Sequence, residues 1–123
     1  MYEVIAHRRP NGRCPYEDFI CSVYRDDPKG GAKIDALVHQ LREKGWRLGV
    51  ETNLAKKLND AWELTPRPYR VFFCWDQVER RYVLLSGFRK KGNRTPPVEL
   101  ERAERLMKEH ISFREVRHEG GRD

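Results

Sequence analysis

Apolar positions along the chain change period several times, and each change marks an element. Tyr2 to Ala6 is a short run of strand formers, followed by a turn cluster, His7-Arg8-Arg9-Pro10-Asn11-Gly12. Behind Pro15, Tyr16, Phe19, Ile20 and Val23 recur at helical spacing until Asp26-Asp27-Pro28 interrupts them. Ile34, Leu37, Val38 and Leu41 form the apolar stripe of a second helix, while Lys33, Asp35, Gln40, Arg42 and Glu43 fill its other side. Asp27 is placed to cap this helix with Pro28 at its first position, Gly30-Gly31 leaves room for a start one turn later, and Gly45 ends it.

Gly45 to Thr52 carries two glycines and no clean period, so it reads as loop. Leu54 to Thr65 fits one or two short strands around an Asn59-Asp60 turn. Tyr69, Val71, Phe73 and Trp75 alternate with Arg70, Phe72 and Cys74, which makes a central strand apolar on both faces except at Arg70. After Asp76 to Arg81 the chain returns as Tyr82 to Phe88, where Gly87 permits close approach. Thr95 as cap and Pro96 as first residue open a last helix, with Leu100, Ala103, Leu106, Met107 and His110 on one side. Ile111 to Val116 is a candidate strand, and residues 117–123 are expected to form a flexible tail. This order predicts a single α+β domain over residues 1–116, with two N-terminal helices and a C-terminal helix packed on a small, mainly antiparallel sheet.

A chain of 123 residues supports one modest core, which agrees with that count of elements. No apolar run approaches the roughly 18 residues of a membrane span, and the N-terminal stretch MYEVIAHRRP lacks a secretory pattern, so the cytoplasm is expected. Cys14, Cys21 and Cys74 include no CxxC pair, and the spacing of His7, Cys14 and Cys21 matches no standard ligand pattern; buried free thiols and no metal are expected.

Charge changes the picture more. The net charge is +6, and Pro66 to Val98 alone holds eight Lys/Arg (Arg67, Arg70, Arg80, Arg81, Arg89, Lys90, Lys91, Arg94) against Asp76 and Glu79. The whole excess therefore lies in one hairpin and its following loop, as in proteins that bind a polyanion. An unpaired buried charge is costly, so Arg70 either pairs with an acid such as Glu63 or opens onto a cleft where a ligand supplies the anion; the two are compatible. Lys56, Lys57, Arg67, Arg70, Arg89, Lys90, Lys91 and Arg94 are interleaved with Trp62, Tyr69, Trp75 and Phe88. Cations neutralise phosphates and aromatic faces stack on unpaired bases, which suits single-stranded RNA. No P-loop, GxGxxG, HExxH or GxSxG is present. Of the four histidines, His110 is the candidate for proton exchange if the last helix folds back beside the basic loop.

The series Gly12-Arg13-Cys14-Pro15-Tyr16-x-x-Phe19, Leu41-x-x-x-Gly45, Lys57-Leu58-Asn59-Asp60-Ala61-Trp62-Glu63-Leu64, Tyr69-Arg70-Val71-Phe72-Phe73, Leu84-Leu85-Ser86-Gly87-Phe88-Arg89-Lys90-Lys91 and Thr95-Pro96 resembles the RelE/HigB-like toxins of type II toxin–antitoxin systems, in their phage-derived HigB-like branch. The resemblance implies a RelE-like fold and a ribosome-dependent mRNA endoribonuclease that uses no metal or other cofactor. It also implies as partners mRNA on the ribosome and a cognate antitoxin of helix-turn-helix type. Carried over by position, Arg70 and Lys90 or Lys91 are the counterparts of the family's catalytic cations; Arg70 and Lys91, with Arg67 as a substitute and His110 from its own place on the last helix, are the expected catalytic groups. Lys56, Lys57, Arg89, Lys90 and Arg94 are the expected RNA-binding groups. Thr65 stands where relatives often carry an arginine, with Arg67 its expected substitute, and no tyrosine follows Tyr82. A catalytically degenerate module that binds RNA or antitoxin, and a ParE-like gyrase inhibitor, are the alternatives.

Overall fold

A computed structural model describes residues 1–120, with side chains to Phe113. The elements are β1 (Val4–Ala6), α1 (Pro15–Asp26), α2 (Pro28–Lys44), α3 (Arg47–Thr52), β2 (Ala55–Leu58), β3 (Ala61–Leu64), β4 (Tyr69–Asp76), β5 (Arg81–Arg89) and α4 (Pro97–Gly120). The strands form one sheet in the order β1-β5-β4-β3-β2, antiparallel except that β1 runs parallel to β5. Helices cover both faces, which is why β4 and β5 are apolar on both sides.

On one face, Tyr16 and Val23 of α1 and Ile34, Leu37, Val38 and Leu41 of α2 pack with Tyr69, Val71, Phe73, Tyr82 and Leu84 of the sheet. On the other face, Ala103, Leu106 and Met107 of α4 cover Phe72, Cys74, Val83 and Leu85. This is the expected α+β layering, with one helix more.

That extra helix is α3, in the stretch expected to be loop. Leu48 is fully buried in the core shared with α2 and the sheet, and Asn53 in the left-handed region (φ 58°) ends the helix. Burial of one leucine on a single turn leaves no periodic signal over six residues.

The caps follow the sequence at α2. Asp27 accepts the Gly30 N–H at 3.0 Å, Pro28 is the first helical residue, and Gly45 closes the helix at φ 59°. Gly30 and Gly31 do not delay its start; their bare Cα atoms lie against Asp27 with Tyr69, and against the Tyr24 ring, where no Cβ fits. At α4 the expectation fails. The helix opens one residue later, with the Pro96 carbonyl accepting Glu99 and Leu100 N–H groups, and the Thr95 hydroxyl donates instead to Glu63 Oε2 at 2.9 Å.

The helix α4 also runs through Ile111 to Val116, so the strand considered there does not form. Of the expected tail, the backbone to Gly120 belongs to α4, and residues 121–123 lie outside the described residues. Cys14 and Cys74 are buried as expected, whereas Cys21 is exposed on α1.

Candidate nucleic-acid interface

Two adjoining strand ends build the site. The antiparallel register places Arg70 opposite Phe88 and Tyr69 opposite Arg89, and Lys90 N–H donates to the Pro68 carbonyl at 2.8 Å, extending the ladder by one step. Directly opposed residues share a face, so Arg70, Phe88 and Lys90 point toward the α4 side and Tyr69 and Arg89 toward the α1 side. In the next strands Glu63 opposes Phe72 and Lys56 opposes Glu63, which adds both to the α4 side.

The result is an open cleft of about 450 Å3 lined by Arg67, Pro68, Arg70, Lys90, Lys91, Gly92 and Asn93. Behind Arg70, outside the cleft lining, lies a carboxylate: Glu63 is 0% exposed and Arg70 8%. Arg70 Nε lies 3.0 Å from Glu63 Oε1, Lys56 Nζ is 4.0 Å from the same oxygen, and Thr95 serves the other oxygen. Among the described residues neither Arg70 Nε nor Glu63 Oε1 completes a hydrogen bond, because the N–H is not aimed at the oxygen. Arg70 Nη1 donates to the carbonyl of the preceding residue, Tyr69, at 2.8 Å, which holds the guanidinium off line. Arg70 therefore faces an acid, Glu63, and also lines a cleft.

Lys90 has its ammonium pKa lowered, first by burial and then by the charges of Arg70 and Lys56, with Arg67 adding to them; Glu63 opposes the shift. Such a lysine releases its proton more readily than a surface lysine.

The structure does not gather all the expected residues. Arg67, Arg70, Lys90 and Lys91 line one cleft, and Lys56 adjoins it through Glu63. Arg89 faces the opposite side, in a groove with Asp26, Asp27 and Tyr69, where its charge helps hold the Asp27 carboxyl below the usual range after the Gly30 N–H and the Tyr69 hydroxyl. Lys57 opposes Trp62 on that same far side, and Arg94 is exposed outside the cleft lining. Of the aromatics, Phe88 stacks on Phe72 beside Arg70 (ring centroids 5.8 Å), and Tyr69 is buried in the core. Trp62 and Trp75, with Trp46, line a separate apolar cavity of about 440 Å3 on the α1–α3 side.

His110 is elsewhere. Its Nε2 lies 3.3 Å from Asp76 Oδ2, at the far end of β4 from Arg70. Six strand steps separate those ends, roughly 20 Å. The helix does fold back on the sheet, but His110 falls beyond reach of the basic loop. Glu63 with Thr95 completes the site, and its one hint in the sequence is an acid on the strand before an otherwise unpaired arginine.

The family model Phage derived protein Gp49-like (DUF891) matches residues 26–108. The chain belongs to this Gp49-like family. No curated protein matches it. The matched part of the Gp49-like domain runs from the last residue of α1 to the middle of α4 and so includes every residue that lines the cation cleft. Among the described residues of this Gp49-like protein no His, Cys, Asp or Glu cluster suited to a metal ion occurs, and no helix is long and apolar enough to cross a membrane.

Proposed function

We propose that the protein is the toxin of a type II toxin–antitoxin pair and acts as a ribosome-dependent mRNA endoribonuclease, held inactive by a cognate antitoxin. The observation that carries this reading is the convergence of Arg67, Arg70, Lys90 and Lys91 on one open cleft over a buried carboxylate. Membership of the phage-derived Gp49-like family supports the toxin part.

In the reaction, the 2′-oxygen of a nucleotide attacks the adjacent phosphorus, the P–O5′ bond breaks, and a 2′,3′-cyclic phosphate and a free 5′-hydroxyl result. Charge grows on the non-bridging oxygens in between, and a guanidinium already fixed at the site stabilises it without reorganising. Arg70 is that group, with Arg67 and Lys91 as neighbours on the phosphate. The proton of the 2′-hydroxyl is assigned to Lys90, the cleft lysine whose pKa burial and the neighbouring cations lower. The departing 5′-oxygen takes a proton from the Lys91 ammonium. His110 has no part in these steps.

The test is to induce the protein alone and map mRNA 5′ ends. Cuts that depend on translation, lowered about 100-fold or more by Arg70→Gln, are expected. Normal growth with intact transcripts overturns the enzyme. Salt-sensitive RNA binding without cleavage leaves a binding module, and DNA damage with mRNA spared identifies a gyrase inhibitor.

A further inference from the structure

Away from the cleft, four side chains from three segments form one hydrogen-bonded row. Glu109 Oε1 is 2.9 Å from His7 Nε2, His7 Nδ1 is 3.1 Å from His110 Nδ1, and His110 Nε2 is 3.3 Å from Asp76 Oδ2. His7 is 1% exposed and Asp76 3%. Each end is anchored again: Arg9 pairs with both oxygens of Glu109 at 3.1 and 3.2 Å, and Asp76 Oδ1 accepts the N–H groups of Val78 and Glu79 at 3.1 Å. His7 follows β1 and His110 lies on α4, so the row joins the first strand to the last helix. Both histidines fall outside the residues matched by the family model.

Proton counting decides what the row can do. Carboxylates only accept, so each Nε2 must carry a proton, and the contact between the two Nδ1 atoms needs a third. Two neutral imidazoles carry two. The complete row therefore holds one extra proton, shared between facing Nδ1 atoms and flanked by two carboxylates. A second extra proton puts an N–H on both facing nitrogens, and the contact becomes a repulsion. We propose that the His7–His110 pair is an acid-opened latch, which with one shared proton fastens the middle of α4 to the ends of β1 and β4 and is released by a second.

The surrounding groups divide: the carboxylates favour the first extra proton, whereas burial and the cations oppose a second. Besides Glu109 and Arg9, the groups facing the pair are Asp76 at the end of β4, Arg81 at the start of β5, and Asp60 of the β2–β3 turn with Cys74, which line a cleft of about 180 Å3 beside His110. Burial lowers the His110 pKa most, Asp76 opposes this, and His7 and Arg81 lower it further. A base whose pKa is lowered on folding contributes stability that is present above its unfolded value and lost as pH falls toward the folded one. Acid is thus the direction that opens the latch.

Hydrogen exchange of the full chain at neutral and mildly acidic pH, corrected for intrinsic rates and referenced to α2, tests the proposal. Amides around Met107 to Phe113 should exchange at least about 10-fold faster in acid, and His110→Gln, whose amide can donate to Asp76 and accept from His7, should abolish that change. Ring 15N spectra of the unaltered protein supply a second reading that needs no variant: a proton shared between the Nδ1 atoms at neutral pH, lost in acid. Equal loosening in His110→Gln, ring titration with no change in α4 exchange, or a zinc ion bound between the two Nδ1 atoms would each overturn it. The outcome is independent of whether the protein cleaves RNA.

Discussion

Arg70 and Glu63 approach to 3.0 Å between Nε and Oε1 without the N–H being aimed at the oxygen, since Nη1 is committed to the Tyr69 carbonyl. A buried carboxylate thus sits where a ligand phosphate would compete for the same guanidinium. Glu63→Gln keeps the Thr95 contact and removes the charge. It should cost about 2–4 kcal/mol of stability in urea denaturation, because Arg70 loses its counter-charge. It should also tighten RNA binding, since one negative charge leaves the side of Arg70. Weaker binding in this variant would show that Glu63 orients Arg70 for RNA and does not compete with it.

The two faces of β4 and β5 separate cations that are neighbours in sequence. Arg70→Gln should lower the slope of log K against log salt for single-stranded RNA by about 0.7, the share of one phosphate contact. Arg89→Gln should leave that slope unchanged, because Arg89 faces Asp26 and Asp27 across the sheet from the cleft. Equal effects in a titration series would mean that RNA wraps the sheet edge.

Asp27 joins the start of α2 to the sheet by accepting the Gly30 N–H at 3.0 Å and the Tyr69 hydroxyl at 2.8 Å. These two bonds, in that order, are the main reasons its carboxyl lies below the usual carboxylate range. Its contribution is present above the unfolded value and lost as pH falls through the lowered folded one. Asp27→Asn should therefore lower the urea midpoint near neutrality, and the gap to the unaltered protein should close in strong acid. A pH-independent gap would assign the effect to packing alone.

At Gly87, directly opposite Val71, an added Cβ would press into the Phe19 ring of α1. Gly87→Ala should destabilise the fold by about 1–3 kcal/mol through overpacking. Combining it with Phe19→Leu should recover part of that loss, read as a coupling energy in a double-mutant cycle. Strict additivity would place the strain elsewhere.

Where a pattern repeats over several turns or along a long strand, the sequence was a good guide. The α2 stripe, the β4–β5 hairpin and the Asp27 cap are all local, and each is present as expected. α3 leaves no periodic sign because a single buried leucine sets it, and Thr95 does not cap α4 because its hydroxyl answers a buried carboxylate on a strand distant in sequence. The cation cleft was legible as charge but not as a surface: strand alternation sends Arg89 away from Lys90. His110 was misplaced by the length of α4, and its partner His7 stands 103 residues away, a distance over which no local pattern reaches.

The parallel pairing of β1 with β5 also has a consequence in time. Val4, Ile5 and Ala6 are synthesised before the other four strands, yet their partners Tyr82, Val83 and Leu84 belong to the last of these. Local pieces such as α2 and the β4–β5 hairpin can form as they are made, whereas the N-terminal segment must wait, unpaired, for an edge that does not yet exist. The earliest strand of this sheet is thus among the last to be placed.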